Sequence, residues 1–148
     1  MPLDGTLPGS ALAELPERSF SVYLHVPFCH SRCGYCDFNT YTASELRGMS
    51  TGDYLTAALR EIDLAARVLG GGTPEVDTVF VGGGTPTMLP AGELSRLLDA
   101  VRQRFGLVRD AEITTEANPE TVTPEYLRRL REAGFTRISL GMQSAVPH

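Results

Sequence analysis

Apolar and polar residues alternate along Phe20–Val26, which is the pattern of a β-strand with one buried face. Tyr23 and His25 fall on one face of this predicted strand, and the opposite face carries Val22, Leu24 and Val26. Three later segments are rich in β-branched or other apolar residues and predict further strands: Val76–Val81, Ala111–Ala117 and Thr136–Gln143. The segment Val76–Val81 is apolar enough to predict burial on both faces.

Segments with helical periodicity separate the predicted strands. Apolar residues recur every three or four positions between Leu55 and Leu69, which predicts an amphipathic helix over Gly52–Leu69 closed by Gly70. A second helical pattern ends at Gly106, and a third begins with Thr123 as its N-cap and ends at Gly134. Because strands and helices alternate, the chain predicts right-handed βαβ units and a parallel sheet.

The predicted elements divide the chain into two parts. Residues 1–19 are rich in proline and glycine and lack periodicity, which predicts a mobile leader. Residues 20–148 predict a single α/β domain. The last predicted strand ends five residues before His148, and an open parallel sheet of four strands would leave an edge. We therefore expect the front part of a longer barrel, truncated at its C-terminal end.

The composition indicates a soluble globular domain, with 42% hydrophobic and 21% charged residues. The net charge of −5 gives no general electrostatic reason to bind nucleic acid or anionic lipid. No apolar run approaches the ~18 residues that a membrane span needs, and no secretory signal is visible. The three cysteines all lie between Cys29 and Cys36, and this odd, clustered number predicts a reducing compartment, the cytoplasm, and a metal or redox role.

The cysteines have the spacing C-x3-C-x2-C, and the residues alone leave three interpretations open. A structural zinc site would need a fourth ligand from His25, His30 or Asp37. The last two cysteines could form a CxxC redox pair, which would leave Cys29 without a role. An iron-sulfur cubane normally takes four cysteines, so three would leave one iron open to another ligand.

Two other predicted strands are followed by, or end in, groups that could contact a ligand: a glycine motif and a carboxylate. The string GGGTP occurs at Gly70–Pro74 after a helix, where a cap explains it, and at Gly82–Pro86 after a strand. Ligand sites of parallel α/β proteins collect after strands, and glycine there exposes backbone N–H groups. On the next predicted strand Thr114, Glu116 and Asn118 share one face, which places a carboxylate at the same end of the sheet.

The cysteine spacing, with Tyr35 directly before the last cysteine, resembles the signature of the radical S-adenosylmethionine superfamily. The string YLHVPFCHSRCGYCDFNTY, together with VGGGTPT, TTEANPE and SLGMQS, resembles the oxygen-independent coproporphyrinogen III oxidase family, and most closely its HemW-like heme chaperone branch. The resemblance extends from about Ser21 to the end of the chain. It implies a partial (β/α)6 TIM-like barrel, of which about four parallel strands with intervening helices are present.

The resemblance also implies cofactors and the residues that hold them. Cys29, Cys33 and Cys36 would bind a 4Fe-4S cluster whose open iron is chelated by S-adenosylmethionine. The implied contacts to S-adenosylmethionine are Tyr23, Tyr35, Gly83, Gly84, Thr85, Glu116 and Gln143. The chemistry would be reductive, with one electron passing to the sulfonium from a cluster that a flavodoxin or ferredoxin reduces.

One departure distinguishes the branches of this family. The porphyrinogen-decarboxylating members carry a fourth cysteine two residues after the third, and here Phe38 occupies that position. This difference favours a heme chaperone, with heme as cargo and heme-accepting apo-proteins as partners. The alternatives are an oxygen-independent coproporphyrinogen III oxidase of porphyrin biosynthesis, and an inactive fragment or simple metal-binding module.

Overall fold

Four parallel strands form one sheet in the order β1-β2-β3-β4 in a computed structural model that describes residues 5–42, 44–46, 48 and 50–142. The strands are β1 (Phe20–Val26), β2 (Val76–Gly83), β3 (Leu107–Ala117) and β4 (Arg137–Leu140). The helices are α1 (Gly9–Ala13), α2 (Thr51–Leu69), α3 (Ala91–Phe105) and α4 (Pro124–Ala133). Neighbouring strands in the chain are neighbours in the sheet, so the expected partial barrel with about four parallel strands is confirmed.

Local signals set the helix ends close to where the sequence predicts them. Ser50 and Asp53 form a reciprocal capping box, so α2 begins at Thr51. Thr123 accepts a hydrogen bond from the N–H of Tyr126 and begins α4, and Gly134, with φ of 109°, ends it. No helix within the described ranges is long and apolar enough to span a membrane.

The hydrophobic core lies between one face of the sheet and helices α2, α3 and α4. Helix α3 contributes its fully buried face to this core through Leu94, Leu97, Leu98 and Val101. Strand β2 contributes Val79 and Val81 from its helix-facing side. Its other side carries Thr78 and Phe80, which are only half-buried, and Phe80 stacks on the exposed ring of Tyr23 with centroids 6.0 Å apart. Burial of β2 on both faces is therefore only partly realised.

The strand register aligns the carboxyl ends of the strands along one edge of the sheet. Val26 of β1 pairs with Gly83 of β2, and Glu116 of β3 pairs with Ser139 of β4. The cysteine loop follows β1, the glycine motif follows β2 and Asn118 follows β3. Three chemically distinctive segments therefore meet at the edge where ligands of parallel α/β folds bind.

Several element bounds differ from the sequence expectations. Strand β3 starts at Leu107, before the predicted Ala111, and β4 is confined to Arg137–Leu140. Gln143, predicted to end the fourth strand, lies outside the described residues. The segment predicted as a leader contains the short helix α1, whose Leu12 lies near Leu64 of α2. A single helical turn is too short to show periodicity in sequence; the mobility of the segment stays a prediction.

Candidate functional site

The cysteine loop is closed at its base by the backbone. Phe28 and Tyr41 form a parallel β-bridge. The N–H of Tyr41 donates to the carbonyl of Pro27 over 2.7 Å, and the N–H of Cys29 donates to the carbonyl of Tyr41 over 3.0 Å. The chain therefore leaves β1, passes through the cysteine motif and returns beside its own start.

His25 ties the return segment to β1. Its Nε2 lies 2.8 Å from the carbonyl oxygen of Asn39, and its Nδ1 lies 3.1 Å from the hydroxyl of Tyr23. Because a carbonyl only accepts, Nε2 carries the proton, and in the neutral ring Nδ1 accepts from the Tyr23 hydroxyl. The orientation of the ring is thus fixed at both nitrogens.

The three cysteines are free thiols in different surroundings. Cys29 is buried, Cys36 is half-buried and Cys33 is exposed. The N–H of Cys36 donates to the carbonyl of Cys33 over 3.0 Å, which closes a turn between these two residues. All three line one cavity of about 430 Å³ at the carboxyl edge of the sheet.

The glycine motif packs directly against the cysteine loop. The N–H of Gly84 donates to the carbonyl of Val26 over 2.8 Å, and the N–H of Thr85 donates to the carbonyl of Phe28 over 2.6 Å. A Cβ atom at Gly84 would collide with the carbonyl oxygen of Phe28 and lie 2.8 Å from Sγ of Cys29. Glycine at this position is therefore required by the approach of two backbone segments.

Glu116 connects β3 to the same motif. Its Oε2 accepts the N–H of Gly83 over 2.9 Å, and a Cβ atom at Gly82 would lie only 2.9 Å from that oxygen. Oε1 has no hydrogen-bond partner in the part of the chain that the structure describes. Burial and, to a smaller extent, the charge of Glu116 raise the pKa of Tyr23.

The cavity brings together most, but not all, of the residues that the sequence singles out. Its lining includes Cys29, Cys33, Cys36, Tyr35, Gly83, Gly84, Thr85 and Glu116. Tyr23 lies in the neighbouring groove between β1 and α2 and is joined to the cysteine loop through His25. Gln143 lies outside the described ranges.

Other residues at the site have little signal in the sequence. Glu120 reads as part of a solvated helix face, but it lines the cavity from a short 3₁₀ turn, Pro119–Thr121, after β3. The Asn118 side chain accepts the N–H of Glu120 over 2.9 Å, and the dipeptide Asn118-Pro119 is the signal that could have predicted this turn. The anchoring role of His25 has a weaker signal in the sequence. This signal is its position four residues before Cys29, on the same strand face as Tyr23.

The thiols suit a cluster in which each cysteine binds a different iron. Among the described residues, no group of three or more His, Cys, Asp or Glu side chains is arranged to hold one metal ion. A 4Fe-4S cluster does not require its cysteines to converge on one point, since each thiolate binds its own iron. Three free thiols on a loop with a fixed base, around one cavity, fit this group.

Comparisons with known proteins find bacterial relatives of similar sequence. The chain is 55% identical over 141 residues to the heme chaperone HemW of Mycobacterium tuberculosis, which covers 95% of this chain and 35% of that protein. It is 43% identical to HemW of Escherichia coli, over 84% of this chain and 32% of that protein. It is 38% identical to the oxygen-independent coproporphyrinogen III oxidase of Escherichia coli, over 90% of this chain and 28% of that protein. The chain thus spans about a third of the length of these relatives.

A solved structure shares the fold. The coproporphyrinogen III oxidase (HemN) of Escherichia coli, described as a radical SAM enzyme, superposes with a TM-score of 0.81 at 36% identity, over 93% of this chain and 31% of that one. The sequence model of the radical SAM superfamily matches residues 23–148, which include the cysteine loop, the glycine motif and Glu116. The chain belongs to the radical SAM superfamily.

Proposed function

We propose that this chain forms the cluster-binding and S-adenosylmethionine-binding part of a HemW-type heme chaperone, which binds heme and delivers it to apo-proteins. One observation carries the proposal: three free thiols, a bare glycine turn and the carboxylate of Glu116 surround one cavity at the carboxyl edge of the sheet. Cys29, Cys33 and Cys36 hold the 4Fe-4S cluster. When bound and reduced, the cluster supplies one electron to the sulfonium of S-adenosylmethionine.

The protein groups beside the thiols have distinct tasks in this proposal. The turn Gly83–Thr85 forms one wall of the cavity and admits a ligand because no side chain projects from the two glycines. Glu116 uses Oε2 to hold this turn, which leaves Oε1 to accept from a hydroxyl or ammonium group of S-adenosylmethionine. Tyr35 lines the same cavity, and Tyr23 and Gln143 complete the proposed contacts.

Two observations favour the chaperone over the decarboxylating oxidase. Phe38 stands at the position where the decarboxylating members carry a fourth cysteine, and its ring lines the cavity. The identity of 55% to the mycobacterial HemW exceeds the 38% to the oxidase of Escherichia coli. A flavodoxin or ferredoxin as electron donor, and a cytoplasmic location whose reducing conditions keep the three thiols free, are part of the same proposal.

Anaerobic reconstitution with iron and sulfide tests the cluster. We expect a cubane EPR signal from the dithionite-reduced chain and loss of that signal in Cys29→Ala. Absence of the signal, or its survival in the variant, would overturn the cluster assignment and favour a simple metal-binding module or an inactive fragment.

A second measurement separates the two heme-related activities. The full-length protein is titrated with heme and followed by its absorption spectrum, and it is incubated with coproporphyrinogen III under reducing conditions. Stable heme binding without turnover supports the chaperone. Turnover of coproporphyrinogen III would overturn it in favour of the oxidase.

A further inference from the structure

Arg32 lies inside the cysteine motif, directly before Cys33. Its Nη2 donates to the carbonyl oxygen of Thr40 over 2.5 Å and lies 3.3 Å from the carboxylate of Glu45. Thr40 is buried, with only 2% of its surface exposed. A buried carbonyl that loses its donor is costly, so this contact is more than a surface ion pair.

Glu45 is held in place independently of Arg32. Its Oε2 accepts the N–H of Thr42 over 2.8 Å and the hydroxyl of Thr42 over 2.9 Å. These two bonds, and then the nearby charge of Arg32, lower the pKa of Glu45. The carboxylate of Glu45 is thus a fixed, ionised partner for the guanidinium of Arg32.

Three successive carbonyl groups of the return segment are each bonded to a different part of the chain. His25 binds the carbonyl of Asn39, Arg32 binds that of Thr40, and the N–H of Cys29 binds that of Tyr41. His25 and Cys29 lie at the base of the loop. Within the described residues, Arg32 is the anchor that comes from the interior of the cysteine motif.

The anchored residue faces a cluster ligand. The hydroxyl of Thr40 lies 4.0 Å from Sγ of Cys36, so the residue whose carbonyl Arg32 binds also contacts the third cysteine. Cys36 is in turn joined to Cys33 by the hydrogen bond that closes their turn. Fixing Thr40 against Arg32 therefore fixes the surroundings of both later cysteines.

We propose that Arg32 is a positioning residue that holds Cys33 and Cys36 ready for the cluster by binding the carbonyl of Thr40 and the carboxylate of Glu45. This inference rests on the proposed function, since it assigns these cysteines to a cluster. A guanidinium suits the task because the two N–H groups of Nη2 diverge in a rigid plane, whereas a lysine ammonium on its flexible stem holds its donors in no fixed direction.

The first test uses the cluster-free chain and measures alkylation of each cysteine by mass spectrometry. Cys36 is the reporter, and its alkylation rate is compared between variants at the same reagent concentration, with the buried Cys29 as the check on global unfolding. In Arg32→Met we expect the alkylation rate of Cys36 to rise about three- to tenfold over wild type, while Cys29 stays protected because it is buried. Methionine keeps an unbranched side chain and removes the hydrogen-bond donors, so a rise reports opening of the loop.

The matched control is Arg18→Met, which removes an exposed arginine paired with Glu14 at 2.6 Å, outside the cysteine loop. In this variant we expect Cys36 to react at the wild-type rate. In Arg32→Lys we expect a rate between those of wild type and Arg32→Met. Equal reactivity of Cys36 in Arg32→Met and Arg18→Met would overturn the proposal. So would a parallel rise at Cys29, since that pattern reports general unfolding rather than local positioning.

The second test uses the reconstituted chain. We expect Arg32→Met to lose iron to a chelator faster than wild type and to give a broadened EPR signal, with partial recovery of both in Arg32→Lys. Unchanged spectra and iron retention in Arg32→Met would overturn the positioning role. A wild-type chain that assembles no cubane would instead overturn the proposed function, and the alkylation result would still decide whether Arg32 orders the loop.

Discussion

The N–H of Gly83 donates to Oε2 of Glu116 over 2.9 Å and so joins the end of β2 to the end of β3 inside the cavity. This bond makes the carboxylate part of the glycine turn rather than a free side chain. Both glycines also lie in tight surroundings: a Cβ atom at Gly82 would lie 2.6 Å from the ring of Phe80 and 2.9 Å from Oε2 of Glu116, and one at Gly83 would lie 2.7 Å from the ring of His25.

Glu116→Gln should weaken binding of S-adenosylmethionine about tenfold while leaving the cluster in place. The amide keeps an oxygen for Gly83 but loses the charge that attracts an ammonium or a hydroxyl donor. Equilibrium dialysis on the reconstituted chain measures the change. Glu112→Gln is the control on the same strand, because Glu112 pairs with Arg137 and does not line the cavity. Equal affinities of the two variants would refute the role of Glu116.

Gly84→Ala should lower the free energy of unfolding by about 1–3 kcal/mol and reduce the iron retained after reconstitution. The methyl group would push the carbonyl of Phe28 and the thiol of Cys29 out of position. Urea unfolding and iron analysis measure the two effects. Gly92→Ala in helix α3 is the control, since nothing lies within 4 Å of its Cβ position. A Gly84→Ala chain that is as stable and retains as much iron as this control would contradict the close approach.

His25→Leu should leave the carbonyl of Asn39 without its donor and make the cluster more labile to a chelator, by roughly tenfold in rate. His25→Gln should lose iron more slowly than His25→Leu, because the glutamine amide nitrogen lies near the position of the histidine Nε2 and can still donate to Asn39. The measurement is the rate of iron loss from the anaerobic reconstituted chain. Similar rates for the leucine and glutamine variants would show that the hydrogen bond to Asn39 is unimportant.

Stability should fall at alkaline pH in part through Tyr54. Its hydroxyl donates to the carbonyl of His25 over 2.8 Å, and burial, with smaller contributions from Glu61 and Tyr23, raises its pKa from 10.0 to about 12. Since the folded-state pKa lies above the unfolded one, this contribution is complete below pH 10 and is lost as the pH rises toward about 12. Urea unfolding at increasing pH should show a shallower decline in Tyr54→Phe. A decline of the same slope in the variant would contradict this assignment.

Much of the fold could be predicted because its signals are local. The alternation along Phe20–Val26 matches the observed β1, and the caps at Thr123 and Gly134 bound α4 as expected. The start of β3 was harder to predict, because Leu107–Asp110 is half-exposed or exposed and partly charged, and its first residue pairs with Val76 of β2 across a register shift.

The candidate site could be predicted as a set of residues but not as an arrangement. The cysteine spacing, the glycine motif and Glu116 were identifiable because each occurs in a short, chemically distinctive string. Arg32 and Asn39 were not, because their roles depend on where the chain returns after the motif. Glu120 reads as a solvated residue because the turn that aims it at the cavity is not encoded in helical periodicity.

The sequence by itself determined the order of strands and helices, the parallel sheet, the three thiols and the glycines that a close backbone approach requires. These depend on side-chain type and on spacing over a few residues. Only the tertiary structure decided that Glu116 binds Gly83, that Tyr23 lies in a neighbouring groove and that Arg32 closes the loop on Thr40. These contacts join residues that lie in different segments or on opposite sides of a loop. They depend on the strand register and on where the chain returns after the cysteine motif, and no single segment of the sequence specifies either of these.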